Sequence, residues 1–200
     1  MFHRMGQLFV RWSVRAILHT LYRVKFVGEK KLPEEGPFLL CANHRSIVDI
    51  PIVGTYSKSR WVYFMSKKEL WDKKFSRFFM NLMDAFPVDR GKGDIGSIKK
   101  ALWHLRKGNV IAIFPQGTRE KAGEKLPARK GAAMLAAMSE AQIIPMYIKG
   151  VIKPFKKIIV YVGKPFSLGL QKRVKYSRET YEEKSQEIMR RIEGLAEVYD

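Results

Sequence analysis

Short apolar runs alternate with helical stretches along most of this 200-residue chain. The runs are rich in β-branched and aromatic residues and lie at 24–27, 38–42, 61–65, 110–114, 143–148 and 158–162. Helical stretches follow Asp49 and cover about 74–83, 94–107, 131–139 and 178–198. Several runs are apolar on both faces, as strands of a buried sheet are. The alternation predicts an α/β fold with a mixed, largely parallel central sheet flanked by helices.

The first helical stretch has the pattern of a membrane-surface helix. Apolar residues recur at steps of three and four from Phe2 to Ile17, while Arg4, Arg11 and Arg15 line the opposite side. These arginines interrupt every stretch long enough to span a bilayer, and the uncharged core of a signal peptide is missing. We therefore predict an amphipathic helix that lies on a membrane surface. Packing of this helix on the domain core is the alternative, and both hold if it docks by one edge.

This interpretation divides the chain into a helix at residues 1–22 and one globular domain at residues 23–200. The length fits a single domain with a full core, and no linker or repeat cuts it in two. The lone Cys41 excludes an internal disulfide. Because it lies in an apolar run, we predict a buried structural thiol rather than a nucleophile.

The charge of the chain points to a polyanionic partner. Lysine and arginine number 38 against 19 acidic residues, which gives a formal net charge of +19. Such an excess repels itself in the folded state, so either nucleic acid or an anionic membrane is expected to offset it. No zinc-ligand spacing, RNA-binding signature or helix-turn-helix pattern is found, which disfavours nucleic acid.

The stretch that follows the second apolar run carries the strongest candidate for chemistry. The run ends in Asn43 and His44, and a helix starts near Asp49. Carboxyl ends of strands are where ligands bind in open α/β folds. A neutral imidazole accepts a proton near pH 7, and a carboxylate on its other nitrogen holds the required tautomer. The alternative is that Ser46 and Asp49 form a capping box and the histidine is idle.

Three further stretches place polar or turn-forming residues after apolar runs. Residues 114–119 read Phe-Pro-Gln-Gly-Thr-Arg, a tight turn whose arginine and amides suit a phosphate monoester; a simple turn with a solvated arginine is the alternative. Residues 86–91 end in Asp89, Arg90 and a glycine, for which a local salt bridge is the alternative. Pro145 interrupts an apolar run, which places that strand at an edge or bulge and makes it a rim of a groove.

Taken in order, these four stretches resemble the sequence blocks of the glycerolipid acyltransferase family, and specifically of bacterial 1-acylglycerol-3-phosphate acyltransferases. The family carries an Asn-His-x4-Asp block, a second block, a Phe-Pro-Glu-Gly-Thr-Arg block and an apolar block with proline. The matches are Asn43, His44 and Asp49 in the first block, residues 86–91 in the second, residues 114–119 in the third and Pro145 in the fourth. The resemblance covers about residues 24–165.

The resemblance implies transfer of an acyl group from a thioester to the free hydroxyl of 1-acylglycerol-3-phosphate, which gives phosphatidic acid. His44 would deprotonate that hydroxyl, and Asp49 would orient His44. Pro145 would shape the site of the acyl donor. The acceptor would be bound by residues in and near the second and third blocks, namely Lys67, Arg90, Gln116, Gly117, Thr118 and Arg119, with Lys68 as reachable as Lys67.

The resemblance implies neither a metal nor a cofactor, because the thioester of the acyl donor is already activated. Acyl-acyl carrier protein or acyl-coenzyme A would be the co-substrate. The protein is expected to lie peripherally on the cytoplasmic face of the cell membrane, with residues 23–200 as its acyltransferase domain.

Gln116 departs from the family, since glutamate is usual at this position. Glutamine keeps the hydrogen-bonding shape of glutamate but loses its charge. Another lysolipid or glycerol phosphate is therefore an alternative acceptor. A basic nucleic-acid-binding protein and a non-catalytic lipid-binding protein are the alternatives from other classes.

Overall fold

The structure, a computed structural model, describes residues 2–29, 31–89, 95–120 and 124–199. Its strands are β1 Val24–Gly28, β2 Phe38–Ala42, β3 Val62–Lys67, β4 Phe86–Val88, β5 Val110–Ile113, β6 Gln142–Lys149 and β7 Ile158–Val162. Its helices are α1 Phe2–Tyr22, α2 Asp49–Gly54, α3 Lys74–Leu82, α4 Ile95–Arg106, α5 Gly131–Ser139 and α6 Arg178–Tyr199. A short 3-10 helix at Lys68–Trp71 joins β3 to α3.

The strands form one sheet in the order β1-β7-β6-β2-β5-β3-β4. Strands β6, β2, β5, β3 and β4 run parallel to one another, while β7 is antiparallel to β6 and parallel to β1. The predicted α/β fold with a mixed, largely parallel sheet is therefore confirmed. Because the five parallel strands share one direction, their carboxyl ends meet at a single edge of the sheet.

Helices cover both faces of the sheet, which explains why its central strands are apolar throughout. All five residues of β2 are buried. The face of Leu40 packs under Leu18 of α1 and Ile52 of α2, whereas the face of Leu39 and Cys41 packs under α4, α5 and α6. Burial raises the pKa of the Cys41 thiol, which agrees with the predicted structural role of this residue.

Pro145 lies at an irregular point of β6, as expected for a proline at an edge or bulge: the pairing shifts by one residue between Met146–Val162 and Ile143–Phe166. The strand β6 itself is not an edge strand. It lies between β7 and β2. The paired residues of β6 and β7 start only at Met146 and Val162, and beyond them the Gly163 N–H donates to the Pro145 carbonyl at 2.9 Å. Within a strand the N–H and C=O of one residue point to the same side. The Pro145 carbonyl points to the residue after β7, so the N–H that proline lacks would also have faced the end of β7. An interior strand thus tolerates this proline because its neighbour ends there.

Helix α1 docks on the domain by one edge. Leu18 is buried and Val14 packs against the core. The guanidinium of Arg11 donates to the backbone carbonyls of the loop before β3. On another side of the helix, Phe9 and Trp12 are 74% and 77% exposed. The helix therefore packs on the core by one edge and leaves aromatic side chains exposed on another side, while its contact with a membrane stays a prediction.

Candidate active site

The carboxyl ends of β2, β3, β4 and β5 and the start of α5 enclose a cavity of about 260 Å³. Most of its wall is apolar. Its lining includes His44, Met65, Val88, Asp89, Ile98, Phe114, Pro115, Gly117, Arg129, Lys130, Gly131, Ala132, Met134 and Leu135. The cavity thus lies where ligands bind in parallel sheets, and it contains the histidine predicted to be catalytic.

His44 and Asp49 meet in the turn between β2 and α2. Their atoms Nδ1 and Oδ2 lie 3.0 Å apart, and Asp49 is fully buried. The same oxygen accepts the backbone N–H groups of Arg45 and Ser46 at 2.6 and 2.7 Å. The carboxylate therefore shapes the turn, as a capping residue would, and also holds the imidazole. The catalytic role of His44 stays a prediction.

The ring of His44 is fixed from a second direction by Phe114. The two rings stack with their centroids 4.0 Å apart and their planes 19° from parallel. With Nδ1 held by Asp49, Nε2 is the nitrogen left for a substrate, and it makes no hydrogen bond to any described residue. A stacked and hydrogen-bonded imidazole is preorganised to take a proton at Nε2.

Asn43 anchors this turn to the sheet. Its Oδ1 accepts the N–H of Ile148 at 2.7 Å and its Nδ2 donates to the Ile148 carbonyl at 3.2 Å. The side chain thereby extends the pairing of β2 and β6 by one residue. We infer that Asn43 positions the backbone from which His44 projects.

Replacement of Asn43 with alanine is expected to destabilise the fold by about 2–6 kcal/mol, since it leaves two buried backbone groups unpaired at about 1–3 kcal/mol each. Denaturant unfolding measures this loss. An Asn109→Ala variant is the control, because that amide contacts a side chain on α4 and not the sheet. Equal stability of Asn43→Ala and the native chain would contradict the anchoring role.

Backbone hydrogen bonds shape the third block and tie the residue that follows it to His44. The Gly117 N–H donates to the Phe114 carbonyl at 2.9 Å, and the Glu120 N–H donates to the His44 carbonyl at 2.9 Å. Gly117 has a φ of 72°, which disfavours residues with a side chain. A Cβ at this position would also lie 2.9 Å from the Arg129 Cδ. The glycine therefore permits both the turn and the close passage of Arg129.

Some of the predicted binding residues line the cavity of His44 and others do not. Gly117 lines the cavity, whereas Lys67 is exposed and pairs with Glu69 at 2.9 Å. Lys68 lies 3.8 Å from Asp89, which does line the cavity. Lys67 and Lys68 are not among the residues that enclose the cavity.

The other predicted residues lie around this site or beyond the described part. Thr118 and Arg119 are exposed on the turn next to Gly117. Pro145 is buried in β6, and it does not line the cavity. Arg90 lies outside the described residues. The roles of these residues stay predictions.

Gln116 is buried, with 1% of its surface exposed, and neither polar atom of its amide has a hydrogen-bond partner among the described residues. It lines a groove of about 600 Å³ on the other side of the third block. Thr118, Arg129 and Lys130 line the same groove. A buried amide without a partner among the described residues is costly.

Arg129 and Lys130 were missed by the sequence analysis. They precede α5 and line the cavity together with His44. Among the described residues that enclose the cavity they are the only lysine or arginine. The signal that would have found them is a basic pair directly before the helix-starting Gly131, ten residues beyond the third block.

Among the described residues a second histidine, His104, is also buried, and it packs in the core. It belongs to α4, its ring packs against those of Tyr63 and Phe86, and it does not line the cavity. Burial lowers its pKa, and the neighbouring Lys100 and Lys107 add to this effect. In the part of the chain that the structure describes, no cluster of three or more histidine, cysteine or acidic residues is arranged to hold a metal ion.

A buried histidine–carboxylate pair at the carboxyl ends of parallel strands is typical of α/β enzymes that use acid–base chemistry. Comparison with known proteins gives the family. A family model described as Acyltransferase matches residues 23–149. The 1-acyl-sn-glycerol-3-phosphate acyltransferase of Bacillus subtilis is 32% identical over 138 residues, which cover 69% of this chain and 68% of that protein. This chain belongs to the acyltransferase family.

Two further relatives place the match in context. The protein of the same name from Helicobacter pylori is 33% identical over 125 residues, which cover 61% of this chain and 52% of the relative. The crystal structure of the 1-acyl-sn-glycerophosphate (LPA) acyltransferase PlsC from Thermotoga maritima matches with a TM-score of 0.69 and 20% identity. That match covers 98% of this chain and 79% of the other, so the two chains share a fold.

Proposed function

We propose that this acyltransferase moves a fatty acyl group from a thioester to the free hydroxyl of 1-acylglycerol-3-phosphate, giving phosphatidic acid. The observation that carries the proposal is the buried His44–Asp49 pair, which opens on a largely apolar cavity. The relatives from Bacillus subtilis and Helicobacter pylori are named for this acceptor, and they supply its identity.

The geometry supports a direct transfer. Nε2 of His44 takes the proton of the acceptor hydroxyl. At the same time the hydroxyl oxygen attacks the carbonyl carbon of the thioester. The imidazolium that forms is stabilised by the charge of Asp49 at 3.0 Å. The carbon–sulfur bond then breaks, the new ester remains on the acceptor, and the thiolate takes the proton from His44.

The cavity wall suits a fatty acyl chain. Met65, Ile98, Phe114, Met134 and Leu135 contribute apolar surface next to His44. Burial of each methylene group against such a wall contributes about 0.8 kcal/mol. The donor is an acyl-acyl carrier protein or an acyl-coenzyme A, and since either thioester is already activated, the proposal requires no metal or cofactor.

The direct experiment measures thiol release from each donor in mixed micelles that contain 1-acylglycerol-3-phosphate, with mass spectrometry of the lipid product. We expect release that depends on the acceptor and yields phosphatidic acid. Glycerol 3-phosphate and other lysolipids are offered in parallel. Transfer to one of these in preference would reject the proposed acceptor, and no transfer to any of them would reject the function.

We propose further that the protein lies peripherally on the cytoplasmic face of the cell membrane. Phe9 and Trp12 of α1 are exposed, and so are Phe75 and Phe78 of α3, a helix that packs beside α1. Exposed aromatic residues on a protein with a net charge of +19 suit an anionic lipid surface. No helix among the described residues is long and apolar enough to cross a bilayer.

Replacement of Phe9 and Trp12 together with alanine is expected to weaken binding to anionic vesicles at least about tenfold, because each buried aromatic contributes roughly 1.5–3 kcal/mol. Vesicle co-sedimentation measures the effect. Trp103→Ala is the matched control, since Trp103 is an exposed tryptophan on α4. Equal loss in both proteins, or none in either, would count against α1 as the membrane contact.

A further inference from the structure

We propose that the exposed surface of α4 binds an acidic acyl carrier protein, which brings the fatty acyl thioester to His44. This inference rests on the proposed function, and it commits to one of the two donors named there. The surface, called the α4 surface, consists of the exposed residues Ile95, Lys99, Lys100, Trp103, Arg106 and Lys107.

The α4 surface carries charge of one sign, and no described residue neutralises it. The sequence contains no acidic residue between positions 95 and 119. None of the lysines and arginine of the α4 surface forms an ion pair with a described acidic side chain. On α6, by contrast, Arg178, Lys184 and Arg191 pair with glutamates of the same helix. The charge of the α4 surface is therefore available to an anionic partner.

Aromatic rings hold part of this charge in place. The Lys107 ammonium lies 4.3 Å from the centre of the Trp103 ring, and the Lys100 ammonium lies 5.5 Å from that of Phe86. Trp103 is 52% exposed, and its ring packs edge-on against the buried His104. An ordered tryptophan among cations suits a protein partner, because tryptophan supplies apolar contact while the charges steer the encounter.

The sheet separates the α4 surface from the proposed membrane contact. Helices α1 and α3 pack on the face of the sheet that carries Leu40, whereas α4 packs on the face of Leu39. When Phe9 and Trp12 of α1 contact a bilayer, the sheet lies between that bilayer and α4. The cations of α4 are therefore directed to a soluble anionic partner rather than to lipid.

The cavity of His44 lies on the same side of the sheet as α4. Met65, Ile98 and Leu135 of its wall pack in the same core as the buried residues of α4. Ile98 belongs to α4, and Trp103 follows it by about 7.5 Å along the helix axis. A carrier protein holds its acyl group on a long, flexible phosphopantetheine arm. Binding beside the cavity thus leaves the thioester free to reach His44.

The experiment compares two donors that share this arm and the acyl chain, acyl-acyl carrier protein and acyl-coenzyme A, with 1-acylglycerol-3-phosphate as acceptor. In Trp103→Ala and in the double variant Lys99→Glu, Arg106→Glu we expect the KM for the carrier-protein donor to rise about tenfold or more. The KM for acyl-coenzyme A should not change, which also shows that the variants are folded. Added salt should raise the KM for the carrier-protein donor more in the native chain than in the double variant.

The matched control is the double variant Lys175→Glu, Arg190→Glu. It makes the same change of charge at exposed positions outside the α4 surface. The KM for either donor should stay at its native value in this control. A rise in the KM for the carrier-protein donor that equals that of the α4 variant would mean that net charge alone matters, and it would reject the α4 surface.

Three other outcomes would overturn the proposal and leave the acyltransferase activity intact. One is an unchanged KM for the carrier-protein donor in both α4 variants, or transfer from acyl-coenzyme A alone. Another is an equal rise in KM with both donors, which would assign the effect to the shared arm or to the fold. The third is a loss of binding to anionic vesicles at unchanged KM, which would place the α4 surface on the membrane.

A binding measurement separates the failure of this proposal from the failure of the proposed function. Calorimetric titration uses the carrier protein with its arm but without an acyl group, so it needs no transfer. Binding that weakens about tenfold in Lys99→Glu, Arg106→Glu but not in the control would support the α4 surface even if no acceptor were acylated. No binding to the native chain, or equal binding to all three proteins, would reject it.

Discussion

His44→Ala is expected to lower the rate of acyl transfer by roughly 10²–10⁴-fold, the usual contribution of a general base. The fold should survive, because the ring is held by one stacking contact and one hydrogen bond. After its removal, Asp49 still accepts the N–H groups of Arg45 and Ser46. Thiol release with 1-acylglycerol-3-phosphate measures the rate, and thermal unfolding measures the stability.

The control for this prediction is His19→Ala, which removes an exposed imidazole from α1. It should leave the rate of transfer unchanged. Retention of full activity by His44→Ala would mean that another group takes the proton. If the native chain bound the lipids with no transfer at all, the non-catalytic alternative would be favoured.

The elements that were predicted best are those whose own residues carry the whole hydrophobic pattern. The bounds of β2, β7 and α5 agree with prediction, because each is a short run of apolar or small residues that ends at a polar or glycine-rich stretch. The strand β4 was not predicted. It has three residues, contains a proline and pairs only with β3, so it carries too little pattern to be recognised.

The site was predicted in part, since a sequence block identifies residue types but not which of them share a cavity. His44 and Asp49 meet because the chain breaks between a strand and a helix, and that break is visible in the sequence. Lys67 carries the residue type expected of a phosphate contact, yet it pairs with Glu69 away from the cavity. Arg129 and Lys130 reach the cavity only through the path of the chain after β5, which no local pattern predicts.

The burial of Gln116 is a second feature of the site that the local sequence does not predict. A polar residue in a turn motif is expected to face solvent or substrate, but here it is buried and its amide lacks partners. The segment before α5 is tied to the same block, since the Arg129 N–H donates to the Pro115 carbonyl. Tertiary contacts of this kind override local preference.

Asp49→Asn separates the charge of this residue from its role in the turn. All three donors around Asp49 converge on Oδ2, while Oδ1 is buried and has no partner among the described residues. An asparagine can place its amide oxygen where Oδ2 lies and accept the same three bonds. The shape of the turn and the tautomer of His44 should therefore persist, and the negative charge alone is lost.

The loss of that charge is expected to lower the rate of transfer by roughly 10²–10³-fold with nearly native stability. At an effective dielectric constant of about 20, an imidazolium and a carboxylate at contact attract by roughly 4 kcal/mol, and about 1.4 kcal/mol corresponds to a tenfold change in rate. The substitution removes this attraction when the proton reaches His44. Steady-state kinetics together with thermal unfolding measure the two effects separately.

Asp49→Ala is the companion variant, since it removes the acceptor as well as the charge. The N–H groups of Arg45 and Ser46 lose their partner, which costs about 2–4 kcal/mol and lowers Tm by roughly 4–16 °C. If Asp49→Asn keeps full activity while Asp49→Ala unfolds early, the carboxylate serves the turn alone. If Asp49→Asn loses activity at native stability, the charge of Asp49 acts on the imidazolium of His44.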